Sequence, residues 1–76
     1  MEIIFKILNE LHPEYDYHTS KDYIEDGLLD SFDMIQLVEE LEQQFHITID
    51  ALDIVPDNIC SAAAIADLVK KSGGTV

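Results

Sequence analysis

The sequence contains no arginine, one cysteine, two prolines and three glycines. A lone thiol, Cys60, cannot close an internal disulfide, so the fold does not depend on an oxidising compartment, and a cytoplasmic location is the expectation. Basic charge is equally scarce: four lysines stand against sixteen carboxylates, for a formal charge of −12. Such a chain repels phosphate backbones instead of displacing their counterions, so neither nucleic acid nor an anionic membrane is an expected partner. No apolar run approaches the roughly 20 residues that span a bilayer, and membrane insertion is not expected. Residues 1–11, MEIIFKILNEL, are apolar enough to suggest a signal peptide, but Glu2, Lys6, Asn9 and Glu10 interrupt the run and no small-residue cleavage site follows. Catalytic furniture is missing too. His12, His18 and His46 lack metal-ligand spacing and are expected as solvated side chains near helix ends, and no serine sits in a Gly-x-Ser-x-Gly turn. A chain this short is also expected to lack mass for a substrate pocket of the usual ~300 Å³ or more. An enzyme is therefore not expected.

What is present is a helical pattern. With 76 residues, 47% of them hydrophobic, the chain can hold one small core, and a single domain over 1–76 is expected. Ile3, Ile4, Ile7, Leu8 and Leu11 repeat with helical spacing until Pro13, which disfavours helix just before it. Residues 14–29 show no sustained period and predict a long loop with one short helical turn after Thr19 and Ser20. Loops of that length in a compact domain usually have a functional reason. In LLDSFDMIQLVEELEQQF, residues 28–45, Met34, Leu37, Val38, Leu41 and Phe45 form one apolar stripe, with Asp33, Gln36, Glu40 and Gln43 on the other side. HITIDALDIVPDNI alternates too briefly for a paired strand; Pro56, Asp57 and Asn58 predict a connecting loop and a short third helix. Ser61 then caps AAAIADLVKK, where Cys60 is expected to pack as a small apolar residue just before the helix. Lysines at the negative end and Gly73–Gly74 close it, leaving a frayed tail at 71–76. The expected fold is all-α, a small four-helix bundle of three substantial helices plus a short third, with a long loop between helices one and two.

Two stretches invite a chemical reading. Asp22 to Asp33, DYIEDGLLDSFD, places glycine sixth and acids first, fifth and twelfth, as a calcium loop does. However, Ile24 occupies the third position, Leu28 and Leu29 the seventh and eighth, and the last acid is the short Asp33 in place of a bidentate glutamate. Ser31 is the other. It stands between two aspartates where helix two begins, and a plain N-cap is its simplest explanation.

EDGLLDSFDMIQLVEELEQQF resembles the modification site of acyl and peptidyl carrier proteins: a loop ending in Gly-x-x-Asp-Ser, a hydrophobic residue next, then an acidic amphipathic helix. The resemblance extends over almost the whole chain, through DIVPDNICSAAAIADLV, which is similar to the short third and the fourth helix of these proteins. It implies that Ser31 carries 4′-phosphopantetheine, donated by coenzyme A, whose terminal thiol holds cargo as a thioester. Asp30 then becomes the N-cap and leaves the Ser31 hydroxyl free, where helix-end N–H groups and the dipole tolerate a phosphodiester. GLL before Asp30-Ser31-Phe32, instead of the Asp-Ser-Leu of fatty-acid carriers, is closest to D-alanyl and stand-alone aminoacyl or peptidyl carriers.

Implied partners are a phosphopantetheinyl transferase that activates Ser31, an adenylating enzyme that loads acyl or aminoacyl cargo, and downstream acyl-transfer or synthase enzymes; the carrier itself is expected to be monomeric. Helical geometry puts Phe32 far from the Met34 stripe and Ile35 at its margin. Either Phe32 folds back on Leu28 or Leu29, or Phe32 and Ile35 form an apolar contact beside Ser31. In the second case Asp30, Asp33, Gln36, Glu39 and Glu42 would surround a contact for a basic partner surface. The alternative function is an unmodified acidic helical interaction module.

Overall fold

The computed structural model describes residues 2–75. Three α-helices, α1 (Glu2–Leu11), α2 (Ser31–Phe45) and α3 (Ala62–Lys71), share one core, and the described residues contain no strand. α1 packs against both α2 and α3. It contributes Ile4, Ile7 and Leu8 to the interior, while Ile3 of the expected stripe is 41% exposed at its margin. Met1, which the sequence pattern placed in the same helix, lies outside the described residues.

The expected short third helix is instead two 3₁₀ turns, Ala51–Asp53 and Pro56–Asn58. The reason is local. Asp50 accepts from the Leu52 N–H and starts the first turn, and Ile54 ends it with ψ near 76°. Pro56, which has no N–H to donate, opens the second, so no continuous i to i−4 ladder can run through both. Asn58 Nδ2 ties them together by donating to the Asp53 carbonyl at 2.8 Å. Before these turns, Ile49 is buried and its N–H donates to Glu42 Oε2 at 2.9 Å.

The loop over residues 12–30 is a structural element in its own right. Tyr17 and Tyr23, two aromatic residues without any period to mark them, are 4% and 1% exposed and meet edge to face at 5.2 Å. The Tyr23 hydroxyl donates to the Tyr17 carbonyl at 2.7 Å, and its backbone N–H donates to the Cys60 carbonyl at 2.6 Å. Leu28 and Leu29 N–H groups return to the Tyr23 carbonyl. Burying two rings of this size stabilises the loop by roughly 2–3 kcal/mol each before its ordering entropy is subtracted. The helical turn expected after Thr19 and Ser20 forms two residues later, where Asp22 Oδ1 accepts from Ile24 and Glu25 N–H groups.

Both later helices end in left-handed residues. His46 closes α2 with φ 55°, an uncommon conformation for a residue with a Cβ. Ser61 caps α3 by accepting from the Ala64 N–H at 3.1 Å, as its sequence position predicts. The expected frayed tail at 71–76 is tied down as far as Gly74: Lys71 completes α3, Gly73 at φ 95° donates to Lys70, and Gly74 donates to the Val69 carbonyl at 2.8 Å. This paired return of amides is a Schellman motif, and it satisfies carbonyls that a frayed end would leave to water.

Candidate functional site

Ser31 is the first helical residue of α2, and its side chain is exposed. Asp30, not Ser31, is the N-cap. Its Oδ1 accepts from the Asp33 N–H at 2.8 Å, and its own N–H donates to Asp33 Oδ2 at 3.2 Å, so two aspartates close a reciprocal capping box around the serine. The box consumes the amides of Asp30 and Asp33, and Met34 N–H begins the helical ladder on the Asp30 carbonyl. Among the described residues the amides of Ser31 and Phe32 find no acceptor and are left as orphan donors at the positive end of the dipole, beside an exposed side chain. The position suits an anionic group on Ser31, which these helix-end N–H groups would favour.

Asp33 is the largest departure from the expected polar face. It is buried, 8% exposed. His12, directly after α1, donates from its Nε2–H to Asp33 Oδ2 at 2.9 Å; a carboxylate oxygen only accepts, so this ring nitrogen carries the hydrogen. Burial pushes the Asp33 pKa up, but hydrogen bonds from His12 and from the Asp30 N–H outweigh it and hold the carboxyl below its ordinary value. Tyr17 lies close enough to feel that charge. Burial first, then the charges of Asp33 and Glu14, raise its phenol to about 12, and its hydroxyl finds no partner among the described residues.

The profile of the family described as "phosphopantetheine attachment site" matches residues 6–69. The chain belongs to this family. Its members carry 4′-phosphopantetheine covalently, and this is a phosphopantetheine-carrying carrier protein. No curated protein and no solved structure matches the chain.

Within the carrier, the residues expected to meet partners divide into two groups. Phe32 is 65% exposed and Ile35 56%, and Asp30, Gln36 and Glu39 are also exposed, all within the first three turns of α2. Phe32 does not fold back into the interior: Leu28 and Leu29 pack on the core without covering it. Asp33 leaves the group because it turns inward to the capping box and His12. Glu42 is only partly available, being half-buried with its Oε2 bonded to the Ile49 N–H.

The other candidates take local roles. Asp22 spends its carboxylate on two backbone amides, and among the described residues no cluster of three or more His, Cys, Asp or Glu could hold a metal ion. His12 is no solvated helix-end residue but a half-buried donor, and His18 lies flat on Phe5 with ring centroids 3.9 Å apart. Ser20 donates to Asp26 Oδ2 at 2.6 Å. Cys60 is half-buried, with Sγ 3.5 Å from the Asp57 carbonyl. A cleft larger than expected for so short a chain, about 500 Å³, opens between α1 and the loop. Phe5, Lys6, Tyr15, Asp16 and His18 are among its walls, which include no residue of α2 and no serine, threonine or cysteine. No described helix is long and apolar enough to cross a membrane.

Sequence reasoning missed His12 and Tyr17 beneath the site. For Asp33 a signal existed, since an acid three residues after a capping Asp is the capping-box pattern. For His12 there was none: the pairing spans 21 residues and depends on how α1 meets α2.

Proposed function

We propose that the chain is a single-domain acyl or aminoacyl carrier, 1–76, that holds cargo as a thioester on a 4′-phosphopantetheine arm attached to Ser31 and delivers it to partner enzymes. The observation that carries this reading is the exposed Ser31 hydroxyl at the first position of α2, with the capping duty taken by Asp30. When attached, the arm supplies a flexible thiol; the protein presents the hydroxyl and offers the Ser31 and Phe32 amides to the phosphate. Attachment converts the Ser31 O–H into an O–P bond. The proton leaves to a base on the transferase, and the pyrophosphate bond of coenzyme A breaks to release its nucleotide half. No base lies on the carrier side in this scheme, in keeping with a partner enzyme that activates the hydroxyl. The family's carrier domains are not themselves catalytic.

Within the family, GLL-Asp30-Ser31-Phe32 favours a D-alanyl or stand-alone aminoacyl or peptidyl carrier, loaded by an adenylating enzyme and working as a cytoplasmic monomer. Phe32 and Ile35 would anchor partners while Asp30, Gln36 and Glu39 guide a basic surface toward them. The test is an intact mass after treatment with a phosphopantetheinyl transferase and coenzyme A, followed by peptide mapping. The wild type is expected to gain one phosphopantetheine on Ser31 and Ser31→Ala to gain none while keeping its helical spectrum. A modified mass persisting in Ser31→Ala, or attachment mapped to Ser20 or Ser61, overturns the assignment. No gain at all favours the unmodified interaction module.

A further inference from the structure

We propose that His12 is a positioning residue for modification of the carrier: by bonding Asp33 it holds the capping box shut and so fixes where the Ser31 hydroxyl points. The proposal rests on Ser31 being the attachment residue. Its geometric basis is that Asp33 Oδ2 is shared between two donors, the His12 ring at 2.9 Å and the Asp30 N–H at 3.2 Å. Ser31 is the residue enclosed by that box, one position after the cap and two before Asp33.

An aspartate is a short closing residue. The usual partner at this box position is Glu or Gln, with one more methylene to reach back to the cap N–H. Asp33 makes that reach while also buried, which orients it from beneath, and His12 is the side chain placed to do so. The histidine is itself held: its backbone N–H continues the α1 ladder to the Leu8 carbonyl at 3.1 Å, and its ring lies 5.3 Å from that of Tyr15. The other ring nitrogen is 3.9 Å from Glu14 Oε2, too far for a hydrogen bond, so the bond to Asp33 is the directional one. Tyr17, buried beside the Asp33 charge with no partner for its hydroxyl, offers no replacement contact in this structure. Without His12, Asp33 keeps its burial but loses its firmest donor. A box that then opens part of the time releases the Asp30 amide and lets the first turn, with Ser31 in it, leave the conformation in which the hydroxyl is presented.

The side chain at position 12 is the variable in the experiment. His12→Gln places an amide N–H near the position of Nε2, His12→Asn places one near Nδ1, and His12→Ala offers neither. Initial rates of modification by one transferase with coenzyme A are measured well below the lowest melting temperature of the set, alongside amide hydrogen exchange of Asp30, Asp33 and Leu41. The expected result is slower modification of His12→Ala and His12→Asn, with the box amides exchanging about fivefold faster, the size of a lost cap. That faster exchange should appear at Asp30 and Asp33 but not at Leu41, and His12→Gln should be near wild type in both rate and exchange. Should His12→Ala fail to fold, the Gln and Asn variants carry the comparison alone. Wild-type rates in the folded Ala or Asn variant with unchanged exchange would show that His12 only stabilises the fold, and a slow His12→Gln would remove the donor as the cause. Failure of the wild type to be modified at Ser31 would instead overturn the attachment assignment, while the exchange pattern still reports on the box.

Discussion

Tyr17 and Tyr23 are buried side by side, yet removing their hydroxyls should affect stability differently. The Tyr23 O–H donates to the Tyr17 carbonyl at 2.7 Å inside the core. Tyr23→Phe deletes that bond and leaves a buried carbonyl short of a donor, a loss of about 1–2 kcal/mol. The Tyr17 O–H is as deeply buried but makes no bond among the described residues, so the folded state already bears its desolvation, on the order of 1–3 kcal/mol. Tyr17→Phe loses no bond and relieves that penalty. The small void left by one oxygen offsets part of the gain, so the expected outcome runs from neutral to about 1 kcal/mol more stable. Urea unfolding followed by far-ultraviolet circular dichroism separates the two, provided that the slope with denaturant stays constant across the set. In a domain this size each kcal/mol moves Tm by roughly 4–8 °C, so melting curves should place Tyr23→Phe below wild type and Tyr17→Phe at or above it. A loss of more than about 1 kcal/mol in Tyr17→Phe would refute the reasoning, by showing that the hydroxyl has a partner; a neutral Tyr23→Phe would refute the bond.

Three further outcomes are expected. Asp33 binds its proton less tightly folded than unfolded, so its contribution to stability is complete above its ordinary value of 3.8 and is lost as pH falls from there through the lower folded value. Asp33→Asn should flatten the acid side of the stability profile in that window, and an unchanged slope in chemical denaturation from pH 5 downward would refute it. Gly74→Ala would put a Cβ 2.5 Å from Val69 Cγ1 and 3.2 Å from Ile47 Cγ2, so the Schellman turn must shift at a cost of about 1–3 kcal/mol, and a melting temperature equal to wild type would show the turn to be loose. Phe32→Ala, at a side chain 65% exposed, should change stability by less than about 0.5 kcal/mol while slowing modification, whereas Glu39→Lys should slow it chiefly at low salt; unfolding by Phe32→Ala, or no salt-dependent effect from Glu39→Lys, would remove these residues from partner recognition.

Local chemistry was legible where cause and effect lie within a few residues. The α2 stripe follows from the helical repeat, and the Asp30 and Ser61 caps from side chains acting on amides three positions away; rotation also sets Phe32 off the stripe, but only the structure excludes its folding back on Leu28 or Leu29. The connecting loop around Pro56 was legible as well, but the short third helix expected there is two 3₁₀ turns, for an equally local reason: Pro56 lacks the N–H that would continue a ladder.

Other features required the chain to fold before they had meaning. Tyr17 and Tyr23 sit in a stretch without period, and only the meeting of that loop with the residues before α3 makes a core of them. Asp33 has the sequence position of a surface acid and the structural position of a buried one, because α1 delivers His12 to it across 21 residues. By itself the sequence determined the three α-helices, the caps that start α2 and α3 and the serine set out at the start of α2, since hydrogen bonds to neighbouring amides and the helical repeat decide these at short range. Tertiary structure alone decided what lies beneath that serine. A pairing between distant polar groups costs desolvation and ordering that no local pattern reveals, and it forms only where packing of the apolar faces brings the two together.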